Sequence, residues 1–430
     1  MPLRSLPALA ARLSRKLFRQ VVAPRTRTVR RTRLELIPLE DRTLLTVIGA
    51  GESWTDGYYD RETDEWFPGT VVVVNYGAGA IDVSGGNGAV SVTGVGGPNA
   101  SYNFAVTGTD PGQGDVTWSG DAAALIIGAT GAISDIAISG DLTATAGETL
   151  GTVSARTVNV GAQGDIGAVT ASDRVLTVNA GGSIANVIAV HDIGLVRALG
   201  GSLGAVQAGG NISLVVGRTV VSSVHADGRI GQVQAFQDIV GPVSAGSDIE
   251  QVLAYHDILG QVSAGGVISF LQAGRSITGG AQAGGGIGFV EAGLIGGISN
   301  PADPGSITNA IRAGGELGHV RASGDVSATL EGNVIREVSA GRDVLGNITS
   351  VGRIDLIAAA RHVSGTVEAV GNIGLVTAGK LGATAAQQGH ITGTIHAGGN
   401  LGVRAYGNTT GSLQADGSLN VDADGSVAGS

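Results

Sequence analysis

The residues able to do chemistry in this chain are few: seven histidines, a scatter of turn aspartates and many paired glycines. His191 and His256 open matching His-Asp-Ile strings. Acid–base catalysis or metal ligation requires several such groups to converge. These two stand far apart, by more than three of the repeats that organise the chain, and the spacing predicts separate polar turn residues. There is no cysteine, which removes thiolate ligands, Cys nucleophiles and disulfides. Glycine strings such as Gly284-Gly285-Gly286 recur throughout and are followed by no Gly-Lys-Ser/Thr, so they are not phosphate loops. Neither a nucleophile elbow nor a His-Glu-x-x-His string occurs. No catalytic, cofactor-binding or metal-binding residue is expected, and no cofactor.

Two calcium patterns need weighing. The turn aspartates Asp192, Asp238, Asp248, Asp257, Asp325 and Asp343 follow a nine-residue beat resembling that of calcium β-rolls. Equivalent places carry Ser183, Asn211, Arg229, Ser276 or Asn372, a mixture that builds no carboxylate cage. Hydrogen bonds from turn amides to these side chains are the expected use. Asp60-x-Glu62-x-Asp64 has the start of an EF-hand loop, but Glu65 replaces the required glycine and Val71 the closing glutamate. It reads as an acidic hairpin tip between Tyr58/Tyr59 and Trp66/Phe67.

The elements that position these residues follow from composition and period. Of 430 residues 74 are glycine, with 43% hydrophobic and only 3% aromatic. The regular return of Ile, Val, Leu and Ala argues against disorder, and no Gly-X-Y register supports collagen. No run of apolar residues is long enough to offer a transmembrane span. Residues 1–45 carry a net charge of +8 and the rest −18. An acidic body lacks the clustered cations that phosphate binding needs, which argues against nucleic acid as partner.

From about residue 121 the chain repeats. A nine-residue unit with I-x-x-[VL] (Ile230/Val233, Ile249/Val252, Ile268/Leu271, Ile287/Val290) alternates with a ten-residue unit with I-x-G-x-[VA] (Ile239/Gly241/Val243, Ile258/Gly260/Val262). The extra glycine always falls in the same half, as at Gly346, Gly365 and Gly393. Such phase-locking predicts an all-β parallel β-solenoid, a β-helix of about 18–19 residues per coil in two half-units. Each residue then stacks on its equivalent about 4.8 Å away. Roughly 16 coils give a rod on the order of 75–80 Å. Leu195 and Leu214, Phe270 and Phe289, and Leu356 and Leu375 are pairs one full period apart in one column, with Gln232 and Gln251 in the same column. Leu195, Leu214, Phe270 and Phe289 are the candidate apolar interaction ridge. The alternative is ladder packing at a coil edge, the favoured reading. Breaks at 294–306 and 382–389 are expected to be loops extruded from coils.

Ahead of the repeats, residues 46–120 hold all three tryptophans and read as a β-rich cap over the solenoid end. Residues 1–45 form a basic tail, helical or disordered. Leu6, Leu9, Leu13, Leu17 and Val21 with arginines between them make a short amphipathic helix. The run Arg30-Arg31-Thr32-Arg33 followed by Leu34-Glu35-Leu36-Ile37-Pro38-Leu39-Glu40-Asp41-Arg42-Thr43-Leu44-Leu45 resembles the LEPR-XLL-type N-terminal segment of bacterial surface proteins, with Ile37 lengthening its spacing. The resemblance is confined to this short string and the arginines before it. It implies a cell-surface or exported protein and no chemistry.

The functional expectation is a non-enzymatic cell-surface or extracellular rod, adhesin-like, displaying a repetitive β face toward cell envelope, matrix polysaccharide or a protein. A polysaccharide lyase or hydrolase on a β-helix is the first alternative. A bactofilin-like polymer-forming scaffold is the second.

Overall fold

The computed structural model describes residues 46–428 except 57, 61–64, 68–70, 87–88, 111–112, 219, 295–303 and 381–387. The basic tail and its LEPR-XLL-like string therefore lie outside the described residues, as do the tip of the acidic hairpin and the middles of both insertions. The described residues are all-β, and their parallel strands stack as a β-solenoid of about 16 turns.

The inward residues explain how a coil closes. Strict alternation along a strand would bury every second residue. In Ile230–Ala235 the buried residues are Ile230, Val233 and Ala235, the first, fourth and sixth. Two successive outward residues separate the first two, so the chain bends there before it runs straight to the alanine. Each coil contains two half-units, and each half-unit pairs in parallel only with its own kind. Ladder A includes Ile193–Ala198, Ile212–Gly217, Ile230–Ala235, Ile249–Ala254, Ile268–Ala273 and Ile287–Ala292. Ladder B includes Ile184–Ala189, Leu203–Ala208, Val220–Ala226 and then three-residue strands such as Val243–Ala245 and Val262–Ala264. The two ladders enclose one continuous aliphatic core of Ile, Val, Leu and Ala.

The ten-residue unit with its glycine enters ladder B between Ile239 and Val243, where the sequence first shows it. From Ile184–Ala189 to Val220–Ala226 both ladders place the second core residue three after the first, as in Ile193/Val196 and Leu203/Val206. Val221 then pairs with Ile239 and Val224 with Val243, so the second step along the chain is one residue longer than the first. The added residue sits at Gly241, and most later units of this half repeat the detour. A Cβ at Gly260 would strike the carbonyl of Gly241, one at Gly279 that of Gly260, and one at Gly365 that of Gly346. Each coil rests its backbone on the carbonyl of the coil below, which is why this half keeps its glycine. Asn309 and Ala328, in neighbouring coils beside the first insertion, depart from the pattern. The earliest coils are tighter: Ile133 bridges to Leu150 and Leu150 to Ile166, both shorter steps along the chain than from Ile230 to Ile249.

At the N-terminal end the strands turn antiparallel. Thr46–Ile48 pairs with Ile81–Gly86, and that strand with Ala89–Gly94. Ser53–Thr55 pairs with Val71–Asn75, and that strand with Ser101–Gly108. Parallel stacking starts where Ala89–Gly94 meets Asp115–Ser119 and Ser101–Gly108 meets Ala124–Ala129. Trp118 packs there against Tyr102 and Phe104, with ring centroids 5.3 and 5.8 Å away, all three buried. Tyr58–Asp60 and Glu65–Phe67 form an antiparallel hairpin.

Both insertions leave at the same corner, after the final alanine of a ladder A strand. Gly293, with φ +72°, and Gly379, with φ +87°, begin them. Side chains at these points would collide with Gly305 and Gly389, the residues at the far necks of the two insertions. Each insertion is thus pinched shut, and the stack continues beneath it: Ile287 pairs with Leu317 and Ile373 with Leu401.

Candidate interaction face on ladder A

The outward residue before the second core position forms one file down ladder A. Its register runs Leu195–Leu214–Gln232–Gln251–Phe270–Phe289. Across the first insertion it continues His319–Glu337–Leu356–Leu375. The structure therefore brings the four ridge candidates into one file, but as two pairs separated by glutamines. Phe270 and Leu375 are exposed, at 42% and 38%, while Leu195, Leu214, Phe289 and Leu356 are half-buried. The Phe270 and Phe289 rings stack at 5.1 Å and 5°, and Phe289 stacks on the His319 imidazole at 4.8 Å and 16°. Because the rings cover one another's faces, what they present outward is their edges.

A second file runs alongside, two residues on: Arg197, Val216, Gln234, Leu253, Gln272, Glu291, Arg321 and onward, with Val216 buried and the others half-buried. Polar groups of the two files bond along the solenoid axis. Gln251 donates to Gln272 at 3.4 Å, and Gln272 to Glu291 at 2.8 Å. Arg321 donates through Nε and Nη2 to both carboxylate oxygens of Glu337, at 3.2 and 2.8 Å. His319 Nδ1 lies 2.9 Å from Glu337 Oε2. The Arg321 hydrogen bond is the main cause holding the Glu337 carboxyl below the ordinary glutamate value, with the His319 bond adding to it and partial burial opposing. Arg321 is correspondingly pushed up.

Histidine, glutamate and arginine stand side by side on this face, and the sequence reading missed them. Phe289 and His319 are well separated in sequence because the insertion interrupts the regular beat. Once the inserted residues are subtracted, His319 falls into the phenylalanine column. The cluster can orient an imidazole on a carboxylate. Glu337 is engaged by Arg321.

The other candidate residues lie at corners. His191 Nδ1 is 3.1 Å from Asp173, at the corner entering ladder A. His256 is 4.0 Å from Asp238, at the opposite corner. They do not meet. The turn aspartates accept backbone N–H groups one coil on: Asp192 from Asn211, Asp238 from Asp257, Asp248 from Val267. At the corner entering ladder B this becomes a continuous chain of acceptors. Asp257 takes the Ser276 amide, Ser276 Oγ that of Ser306, Ser306 Oγ that of Asp325, and Asp325 that of Asp343. Asp343 takes the His362 amide, His362 Nδ1 that of His390, and His390 Nδ1 that of Asn408. Any short acceptor serves, so Asp, Ser, His and Asn interchange. Among the described residues no three His, Asp or Glu side chains gather as a metal site.

Open cavities among the described residues include two of about 430 and 330 Å³. The larger lies over the first coils, lined by Asp115, Thr117, Ser134, Leu150 and Asp165 among others. Its carboxylates already accept turn amides, Asp115 from Ala132 at 2.7 Å and Asp165 from Ser183 at 2.6 Å. The smaller is lined by Asn211, Ser213, Arg229 and Glu250, with Arg229 paired to Glu250.

Fold and face together define a parallel β-solenoid protein with one long mixed apolar and polar file on its exterior. No protein-family model, curated protein or solved structure matches the chain. Among the described residues no helix is long and apolar enough to cross a membrane.

Proposed function

We propose that the chain is a non-enzymatic structural rod of the cell surface or extracellular space, adhesin-like in displaying the ladder A face for association. The observation that carries this reading is the file from Leu195 to Leu375, ten coils of outward side chains in one register. Short coils build length and stiffness, and they use their polar side chains in bonds between neighbouring coils. A surface of that kind suits extended contact with a macromolecule better than enclosure of a small substrate. Export is supported by the resemblance of residues 34–45 to the LEPR-XLL-type segment. Cell fractionation with N-terminal sequencing of the mature protein tests the location. Recovery solely from the cytoplasm refutes it.

One observation favours an enzymatic alternative, the His319–Glu337–Arg321 cluster on the ladder A face. A polysaccharide-acting enzyme needs an acid or base at such a place. Incubation with uronic-acid polysaccharides separates the readings. Release of unsaturated or shortened sugars that disappears in His319→Ala establishes the enzyme, whereas intact polymer supports the rod.

A further inference from the structure

The order of side chains in the ladder A file is the same chemistry read from either end. It runs two leucines (Leu195, Leu214), two glutamines (Gln232, Gln251), two phenylalanines (Phe270, Phe289), a polar pair (His319, Glu337) and two leucines (Leu356, Leu375). We propose that a second copy of this chain covers the file, antiparallel to the first and related to it by a two-fold axis between Phe270 and Phe289.

That operation leaves sideways positions unchanged and reverses direction along the solenoid, so each file faces itself reversed. Phe270 meets Phe289 of the second copy. Leu214 meets Leu356, and Leu195 meets Leu375. Gln251 faces His319 and Gln232 faces Glu337, which an amide can satisfy as donor or acceptor. The adjoining file obeys the same reversal: Gln272 faces Glu291 and Leu253 faces Arg321, whose stem is apolar. No two like charges oppose each other in either file.

The rival arrangements are poorer. A parallel two-fold sets Glu337 on Glu337 when centred on the first file and Arg321 on Arg321 when centred on the second. Centred between the files, it sets Phe289 against Glu291. Antiparallel registers that keep leucine on phenylalanine shorten the contact to six coils.

The size fits as well. Ten coils at about 4.8 Å, and two files about 13 Å wide, give on the order of 1,200 Å² over both copies. That is the lower edge of what specific interfaces bury. The ends of the file are leucines and its centre is aromatic, the distribution expected when the anchor sits centrally. This pairing goes beyond the rod reading and does not depend on where the protein resides. Solution association and cellular location are measured separately, so either can fail alone.

The test uses the full chain, which has no cysteine of its own. Leu214→Cys and Leu356→Cys chains are prepared separately, oxidised mildly alone and after mixing, and run without reductant. The expected result is a disulfide-linked dimer in the mixture and monomer in each single variant, because 214 and 356 of different copies face each other while like positions lie seven coils apart. In parallel, sedimentation follows the unmodified chain and Phe270→Glu. The unmodified chain should dimerise, and Phe270→Glu should weaken the dimer at least tenfold, with the circular dichroism of both unchanged. The proposal is overturned by a chain that stays monomeric to about 0.5 mM, the range open to a weak interface of this size. It is equally overturned if Leu214→Cys links to itself, or if the mixture yields no dimer.

Discussion

At Thr409 a hydroxyl stands where the other coils place Ile, Val or Leu. Thr409 continues the buried file that runs through Val344, Val363 and Ile391, is 1% exposed, and its Oγ1 has no hydrogen-bond partner. A buried hydroxyl left unpaired costs about 1–3 kcal/mol. Thr409→Val keeps the shape and removes the polar atom, so it should raise stability by about 1 kcal/mol, seen as a higher melting temperature. No gain would mean the hydroxyl has found a water. Glu337 is the opposite case. Its carboxyl is held below its ordinary 4.5 chiefly by the Arg321 hydrogen bond, so the folded state favours the ionised form. The stability this adds is fully present above that value and is lost as pH falls through the lowered one. Glu337→Gln should therefore cost about 1–2 kcal/mol at pH 7, and less as the solution is acidified below about pH 4. Denaturant melts of the two proteins at pH 7 and pH 3.5 check the sign. A difference that grows on acidification contradicts the assignment.

Among the elements, the ten-residue half-units make the strongest demand on side-chain size. Gly365 lies over the carbonyl of Gly346, and Gly393 in turn lies over Gly365. Gly365→Val must lift two coils apart and should destabilise by about 2 kcal/mol or more. Val370→Thr, at an exposed turn residue just after the next strand, should change stability by less than about 0.5 kcal/mol. Equal melting curves for the two variants would show that the coils do not rest on that glycine. The same glycine made the solenoid legible in the sequence, because a position that excludes a Cβ in coil after coil leaves a recurring mark. The inward Ile and Val leave another, since the core admits no polar substitute without a penalty. What stayed hidden has equally physical causes. The corner acceptors vary among Asp, Ser, Asn and His because each satisfies the same amide, so composition alone shows turns and not a continuous chain of bonds. His319 and Glu337 were concealed by an insertion that displaces numbering without displacing the stack.

For the molecule as a whole, the stack should behave as a sum of coils and their neighbour contacts, since each coil touches only those above and below. Ile230, Ile249 and Ile268 occupy one register, so removing residues 249–267 joins Asp248 to Ile268 and leaves both ladders in phase. The shortened chain should fold, keep its β circular dichroism, and by small-angle scattering lose about 4.8 Å of length. Removing residues 249–257 alone sets a ten-residue unit, with its glycine detour, onto ladder A above Ile230. That smaller deletion should be the more damaging one, producing loss of cooperative unfolding or insolubility. The pair of deletions also separates folding from association. The coil deletion takes Gln251 out of the file and leaves one glutamine between leucines and phenylalanines, so the sequence of side chains no longer reads alike from both ends. The shortened chain should therefore fold normally yet dimerise at least tenfold more weakly than the full chain. A coil deletion that unfolds the protein would break the additive picture of the stack, whereas one that folds and dimerises undiminished would leave the stack intact and remove the two-fold pairing.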